Sequence, residues 1–201
     1  MAFFDPQKGI WPFFGKVADL LGLSLLWIVC SLPVVTMGAA TAALYDSVSH
    51  CLRKGENGPM ARFFSSFKAE LKTATIAHLL WGVVIGLLVA AVWYVRGQMA
   101  VFEGLPAAAL EAVWFLVLLI PVGCWCWMFP LLSRFTFSST HLISTALRFT
   151  FAYLPRTLAV VIVFMAGLTF TLWLFLPILI VPALVALVWT YLMEPAFQKY
   201  M

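Results

Sequence analysis

Residues 157–193 read TLAVVIVFMAGLTFTLWLFLPILIVPALVALVWTYLM, a run of 37 residues without Asp, Glu, Lys or Arg. Three shorter runs of this kind precede it, at residues 20–45, 73–95 and 112–133. About 20 apolar residues cross a hydrocarbon core ~30 Å thick, so each shorter run can cross once and the long run can cross twice in shortened form. Backbone polar groups in lipid need internal partners, which helices provide. The sequence therefore predicts an all-α integral membrane protein with five transmembrane helices.

Composition supports the same fold class. Hydrophobic residues make up 64% of the chain and charged residues 10%. A soluble domain of this composition would expose so much apolar surface that it would aggregate. No segment between the runs is long enough for a second folded unit, so residues 1–201 are predicted to form a single membrane domain. The formal net charge of +4 does not indicate nucleic-acid binding, because the basic residues cluster at the ends of the runs, where they contact membrane lipid and determine orientation.

The distribution of Lys and Arg predicts the orientation. Basic residues are concentrated after the first run and after the third, whereas residues 96–111 contain only Arg96. Both basic segments are predicted to be cytoplasmic, and five crossings then place the amino terminus on the outer side of the cell membrane. In an alternative with six membrane segments, residues 20–32 and 34–50 enter the bilayer and return around Pro33, which moves the amino terminus inside.

Two cytoplasmic segments have the pattern of amphipathic helices that lie at the membrane interface. In residues 59–72 and 140–154, polar and apolar side chains alternate at spacings of three and four, so that one face can be buried at the headgroups. The segments are either plain interfacial anchors or a docking surface for a partner. The candidate docking residues are Arg62, Lys72, His141, Arg148 and Arg156.

A break in the first run is the most distinctive local pattern. Pro33 interrupts the helix, and the hydroxyls of Ser31 and Thr36 can bond the carbonyls that it frees. Small residues permit close helix packing, and they recur four apart on the first and second runs, at Gly38, Ala42, Gly82 and Gly86. We expect these two spans to pack together along this seam; the alternatives are a substrate path at the kink or a contact face for another protein.

Residues suited to catalysis or metal binding are sparse. Cys124 and Cys126 have no His or carboxylate at metal-ligand spacing, so no catalytic, metal or cofactor residue is predicted, and we expect a protein that is not an enzyme. Asp46 and His50, one helical turn apart, could bind a ligand at a cytoplasmic mouth. His78 is the one ionisable group deep within a run, and this scarcity disfavours independent ion-coupled transport.

A weak internal repeat relates residues 17–95 to residues 109–193. The sequence FKAELKT at 67–73 opens the second run much as FAYLPRT at 151–157 opens the fourth. Repeats of this kind are common in transporters.

Residues 26–45, LWIVCSLPVVTMGAATAALY, followed by RFFSSFKAELK at 62–72, LRF at 147–149 and LPRT at 154–157, resemble the YesL family of small bacterial membrane proteins. The resemblance implies a companion of carbohydrate uptake systems, encoded beside sugar permeases and sugar-binding proteins. We therefore expect a non-enzymatic accessory of an ABC-type carbohydrate transporter. The alternative is a small transporter or channel, in which the chain forms a homo-oligomer.

Overall fold

A computed structural model describes residues 11–97, 107–174 and 176–197, and every regular element in these ranges is helical. A π-helical turn, Val48–Arg53, continues the second helix, and short 3₁₀ segments lie at Val34–Thr36 and Leu176–Leu179. The α-helices are α1 Trp11–Ser31, α2 Met37–Ser47, α3 Pro59–Gly97, α4 Ala107–Leu132, α5 Ser139–Ala152, α6 Leu154–Leu174 and α7 Val181–Phe197.

Four helices in the described ranges are long and apolar enough to cross a membrane: Phe14–Ser31, Pro59–Gly97, Ala112–Leu132 and Leu154–Trp173. The helix α7, at 17 residues, is apolar but shorter. The prediction of a helical membrane protein is thus confirmed, and so is the division of residues 157–193 into two helices.

The prediction of one span over residues 20–45 is wrong, because this segment folds as a helical hairpin. The helix α1 ends at Ser31, and the Trp27 Nε1–H donates a hydrogen bond of 3.2 Å to the Thr41 hydroxyl in α2. Fourteen residues of straight helix would separate these residues by about 21 Å. Pro33 has extended backbone between the two helices, since its ring cannot continue α1. The broken alternative, with a return around Pro33, has the observed chain path.

The hairpin also decides where α1 begins. The helix α2 ends beside the start of α3, where Asp46 pairs with Arg62. Because α1 is antiparallel to α2, it begins at this same end, and Gly22 of α1 faces Met60 of α3. The loops after α2 and α4 meet there too, through contacts of Arg134 with His50. The start of α1 therefore lies at the end of the bundle where α3 begins, as in the alternative with a return around Pro33.

The predicted interfacial helix over residues 59–72 is the first third of α3 rather than a separate element. No Gly or Pro interrupts residues 60–81, and Pro59 stands at the first helical position, which it favours. The resulting 39-residue helix is about 58 Å long, nearly twice the ~30 Å hydrocarbon core. The second predicted amphipathic helix is confirmed as α5: Leu142, Ala146 and Phe149 are buried, and Arg148 is exposed.

The core lies where α2, the carboxyl half of α4 and α7 meet. Small residues of α2 are fully buried there, and the Trp127 Nε1–H of α4 donates to Thr157 of α6 at 2.9 Å. The two ends of the bundle differ, because α3 beyond Trp81 is largely uncovered, with Leu87 and Trp93 exposed. The two halves of the predicted repeat differ here. The helix α3 is continuous through residue 67, whereas α5 and α6 are separate helices with Tyr153 between them. The internal repeat stays a prediction.

We expect cysteines placed at Lys16, Lys54 and Ser138 to share one side of the membrane, because all three lie toward the end of the bundle that holds the starts of α1 and α3. In a Cys30→Ser background, an impermeant thiol reagent applied to intact cells should label either all three cysteines or none of them. A cysteine at Gly97 should give the opposite result. Labelling at Lys16 together with Gly97, but not with Lys54, would contradict the hairpin.

Candidate functional site

Charged and hydroxyl side chains converge at the end of the bundle where α2, α3, α4 and α7 meet. Asp46 and Glu194 are each only 5% exposed, which is unusual for carboxylates unless they are paired. We call this group the charged cluster; its members are Asp46, Ser49, His50, Arg53, Glu56, Arg62, Ser66, Arg134 and Glu194.

The π-helical turn Val48–Arg53 supplies the centre of the charged cluster. A π-turn is wider than an α-turn and often marks a functional position. Ser49 is fully buried and donates to Glu194 Oε1 at 3.3 Å. His50 contacts Arg134, while Arg53 Nη1 donates to the Thr190 carbonyl at 3.0 Å. One short segment therefore connects α2 to both α4 and α7.

Asp46 ties α2 to α3. The Arg62 Nε–H donates to Asp46 Oδ2 at 2.8 Å, and Arg62 Nη2–H donates to Oδ1 at 3.3 Å, a bidentate arrangement. Ser66, one turn later, donates to Oδ2 at 2.6 Å. Bidentate guanidinium–carboxylate pairs are among the stronger polar contacts in proteins. Asp46 is thus fully engaged by residues of the first two turns of α3.

Glu194 ties α7 to α4. Arg134 Nε donates to Glu194 Oε1 at 2.9 Å, and both side chains are 7% exposed. Arg134 Nη2 contacts the same oxygen and Ser49 Oγ. Arg53 Nη1 lies 3.9 Å from Glu194 Oε2. A buried carboxylate with several charge-assisted donors avoids the large cost of an unpaired charge, so these contacts hold the ends of α4 and α7 together.

His50 bridges the two halves of the charged cluster. Its Nε2 lies 2.8 Å from Arg134 Nη1, and its Nδ1 lies 2.8 Å from Glu56 Oε1. Arginine can only donate, so Nε2 accepts and Nδ1 carries the proton that is donated to Glu56. This hydrogen bond is the main cause that lowers the pKa of Glu56 below its ordinary value, and nearby positive charge lowers it further. His50 thus connects Arg134 to Glu56.

The charged cluster is balanced and internally satisfied. Three guanidinium groups face three carboxylates, and each carboxylate has at least one donor within 3.0 Å. The Ser49 hydroxyl donates to Glu194 and lies against Arg134. These contacts hold this end of the bundle together.

The two hydroxyls beside the break at Pro33 have different environments. Thr36 Oγ1 donates to the carbonyls of Cys30 at 2.6 Å and Pro33 at 2.9 Å. The Ser31 hydroxyl is buried without a hydrogen-bond partner in the described part of the chain. The kink turns α2 back along α1.

The small residues of α2 contact a different part of α3 from the part that the sequence predicted. A Cβ on Gly38 would lie 2.7 Å from His78 Cβ and 2.9 Å from the Ala74 carbonyl oxygen, so α2 and α3 are in close contact here. Ala42 is buried on the same helix. In contrast, a Cβ on Gly82 or Gly86 would meet nothing within 4 Å. Their predicted packing against the first run is wrong, since the hairpin ends before it reaches them.

A comparison with known families matches the part of the chain just described. Residues 20–92 match the family model DUF624, a protein of unknown function. The matched segment covers most of α1, all of α2 and most of α3, and it includes Gly38, Asp46, His50 and Arg62. Searches of curated proteins and of solved structures each found no match.

The candidate docking residues have different environments. Lys72, His141 and Arg148 are exposed, whereas Arg62 is engaged by Asp46 and Glu56. The guanidinium carbon of Arg156 lies 5.3 Å from the centre of the Tyr153 ring. The candidate mouth residues lie together: Asp46 and His50 both belong to the charged cluster, with Asp46 Oδ1 3.6 Å from His50 Nε2.

Sequence reasoning did not find Arg134 and Glu194 as site residues. They lie 60 positions apart, and the Ser49–Glu194 contact joins residues 145 positions apart. One signal was available: Glu194 is the first charged residue after the 37-residue run, and Arg134 directly follows the third run. Their depth and pairing, however, depend on helix packing. The described residues contain no group of three or more His, Cys, Asp or Glu side chains that could hold a metal ion.

Proposed function

We propose that the protein is a non-enzymatic membrane partner of an ABC-type carbohydrate uptake system in the bacterial cell membrane, with the charged cluster at the cytoplasmic end. The observation that carries this proposal is a set of exposed basic side chains on two neighbouring helices. Lys72 lies on α3 and Arg148 on α5, and Ser139 at the start of α5 donates to the Thr73 carbonyl of α3 at 3.5 Å. This contact places Lys72 beside α5, which also exposes His141.

The other polar groups are engaged within the protein, which supports a role as a partner of another protein rather than a catalytic role. The charged cluster uses its own carboxylates and guanidinium groups, so it offers no open ligand position. Within the span of α3, His78 accepts a hydrogen bond of 3.1 Å from the Trp125 indole. The exposed basic residues therefore remain as the polar surface available for recognition, and such charges govern encounter and specificity more than folding.

The family resemblance directs the proposal toward carbohydrate uptake. The sequence around residues 26–45 and 62–72 resembles the YesL family, whose members accompany sugar permeases. An ABC transporter contains cytoplasmic nucleotide-binding subunits, and an acidic patch on such a subunit is the surface that an array of Lys and Arg would attract. We assign the contact to such an acidic cytoplasmic surface.

Reversing both exposed charges tests the proposal. We expect Lys72→Glu/Arg148→Glu to reduce co-purification of the transporter subunits encoded beside this chain by roughly tenfold, which equals about 1.4 kcal/mol. Membrane yield should stay unchanged, because neither residue belongs to the charged cluster. The measurement is quantitative mass spectrometry after affinity capture at two salt concentrations, since an ionic interface weakens with salt.

Lys54→Glu is the matched control, because Lys54 is exposed at the same end but in the loop before α3. It should capture the transporter subunits at the wild-type level. Equal capture by the double variant would show that Lys72 and Arg148 do not mediate docking. If the wild-type chain captures no transporter subunit, the companion function itself is wrong.

A small oligomeric transporter or channel is the second candidate. The open stripe formed by Gly82 and Gly86 on α3 favours it, because small residues four apart let a second helix approach closely. Solute flux through the purified protein in liposomes would support this candidate, provided that Gly86→Leu abolishes both the flux and the oligomer.

A further inference from the structure

An apolar cavity of about 290 Å³ lies between α1, α2, α4, α6 and α7, and Tyr45 of its wall directly precedes Asp46 of the charged cluster. Its walls are mainly aromatic and aliphatic, and they include Trp27, Trp125, Phe164 and Trp189. Its volume is roughly twice that of an apolar cavity of ~150 Å³ that binds benzene. Water would find almost no hydrogen-bond partner in such a space, and apolar cavities of this kind stay dry.

The cavity is continuous with the apolar surface that faces the bilayer. Leu172 at the end of α6 and Ile178 before α7 line the cavity, and both are exposed, at 68% and 37%. Lipid chains surround this surface at high concentration. An unfilled cavity costs stability in proportion to its volume, so a chain that enters from the bilayer restores the packing that the helices alone lack.

One wall of the cavity holds a buried donor without an acceptor. Trp189 is 3% exposed, and its Nε1–H has no hydrogen-bond partner among the described residues. This N–H is not accessible from the cavity, whose wall is almost entirely apolar. An occupant of the cavity is therefore held by apolar contacts.

We propose that this cavity binds one acyl chain of a bilayer phospholipid. In a membrane, an acyl chain gains little from leaving other lipid chains, because these are as apolar as the cavity. Selective binding therefore depends on the rigid aromatic walls. This inference does not rest on the transporter-partner function.

Photolabelling in lipid nanodiscs tests the site. The probe is a phosphatidylcholine with a diazirine in one acyl chain, and mass spectrometry locates the adducts. In the wild-type protein, adducts should concentrate on residues that line the cavity. Ala186→Phe, at a cavity position that is 5% exposed, should reduce these adducts about tenfold, whereas Leu184→Phe, at a position of the same helix that is 41% exposed, should not.

A second probe defines the ligand, namely a free fatty acid with the same diazirine chain. Labelling by the free acid but not by the phospholipid would overturn the assignment to bilayer lipid. Wild-type adducts spread evenly over the exposed apolar surface would overturn the site, whether or not Ala186→Phe folds.

Discussion

Gly38→Leu is expected to lower the thermal stability of the detergent-purified protein sharply, while Gly86→Leu should leave it unchanged. At Gly38 even a Cβ would lie 2.9 Å from a backbone carbonyl oxygen of α3 and 2.7 Å from His78 Cβ. Neither atom can move without shifting α3. Overpacking typically costs 1–3 kcal/mol and occasionally more; we expect at least about 3 kcal/mol, or on the order of 10 °C in melting temperature.

Gly86→Leu is the matched control, because it makes the same chemical change on a face of α3 where a Cβ meets nothing within 4 Å. Both melting curves are recorded by tryptophan fluorescence in the same detergent. Equal stability of the two variants would show that α2 does not pack against α3 at Gly38, and the description of the hairpin would then fail.

Arg134→Met should cause the second large loss, because it leaves Glu194 as a buried carboxylate without its main partner. Both side chains are 7% exposed, and removing one member of a buried ion pair costs about 3–5 kcal/mol. Replacing both members with apolar residues is often neutral, so Arg134→Met/Glu194→Met should recover most of the loss. Chemical unfolding in mixed micelles measures the three variants.

Arg148→Met tests whether the loss is specific to the buried pair. It removes the same side chain from an exposed position of α5, where the change should stay within about 0.5 kcal/mol. A double variant that is no more stable than Arg134→Met alone would mean that the two residues are not coupled.

The spans were predictable because the properties that determine them belong to each segment alone. Length and apolarity decide whether residues 73–95 or 112–133 can cross a bilayer, and the helices found there agree with both runs. The turn within residues 157–193 was predictable for a similar reason, since one straight helix of 37 residues would be far longer than the bilayer is thick. Chain length alone required a return.

The hairpin and its seam could not be decided in the same way. Pro33 is compatible with a kinked single span and with a full reversal, and only contacts such as that of Trp27 with Thr41 distinguish them. The pairing of Gly38 with Gly82 and Gly86 assumed a first span that runs the full length of its neighbour. The reversal shortened that span, so Gly38 meets Ala74 and His78.

The charged cluster was only partly predictable, since it depends on tertiary contacts. Asp46 and His50 were found because they are close in sequence and lie at the end of a run. Arg62 was assigned to an exposed face from its helical spacing, which carries no information about a carboxylate on another helix. Glu194 and Arg134 each directly follow an uncharged run, and a charge at the end of such a run usually lies in water.

The contacts of Glu194 have a consequence for the order of biosynthesis. The nascent chain emerges amino terminus first, at about 5–20 residues per second, and Glu194 follows Arg134 by 60 residues. For roughly 3–12 s, Arg53 and Arg134 exist without the carboxylate that they share in the finished protein. Assembly of this end of the bundle can be completed only after α7 arrives, so a chain truncated before α7 would expose unpaired arginines to quality-control proteases.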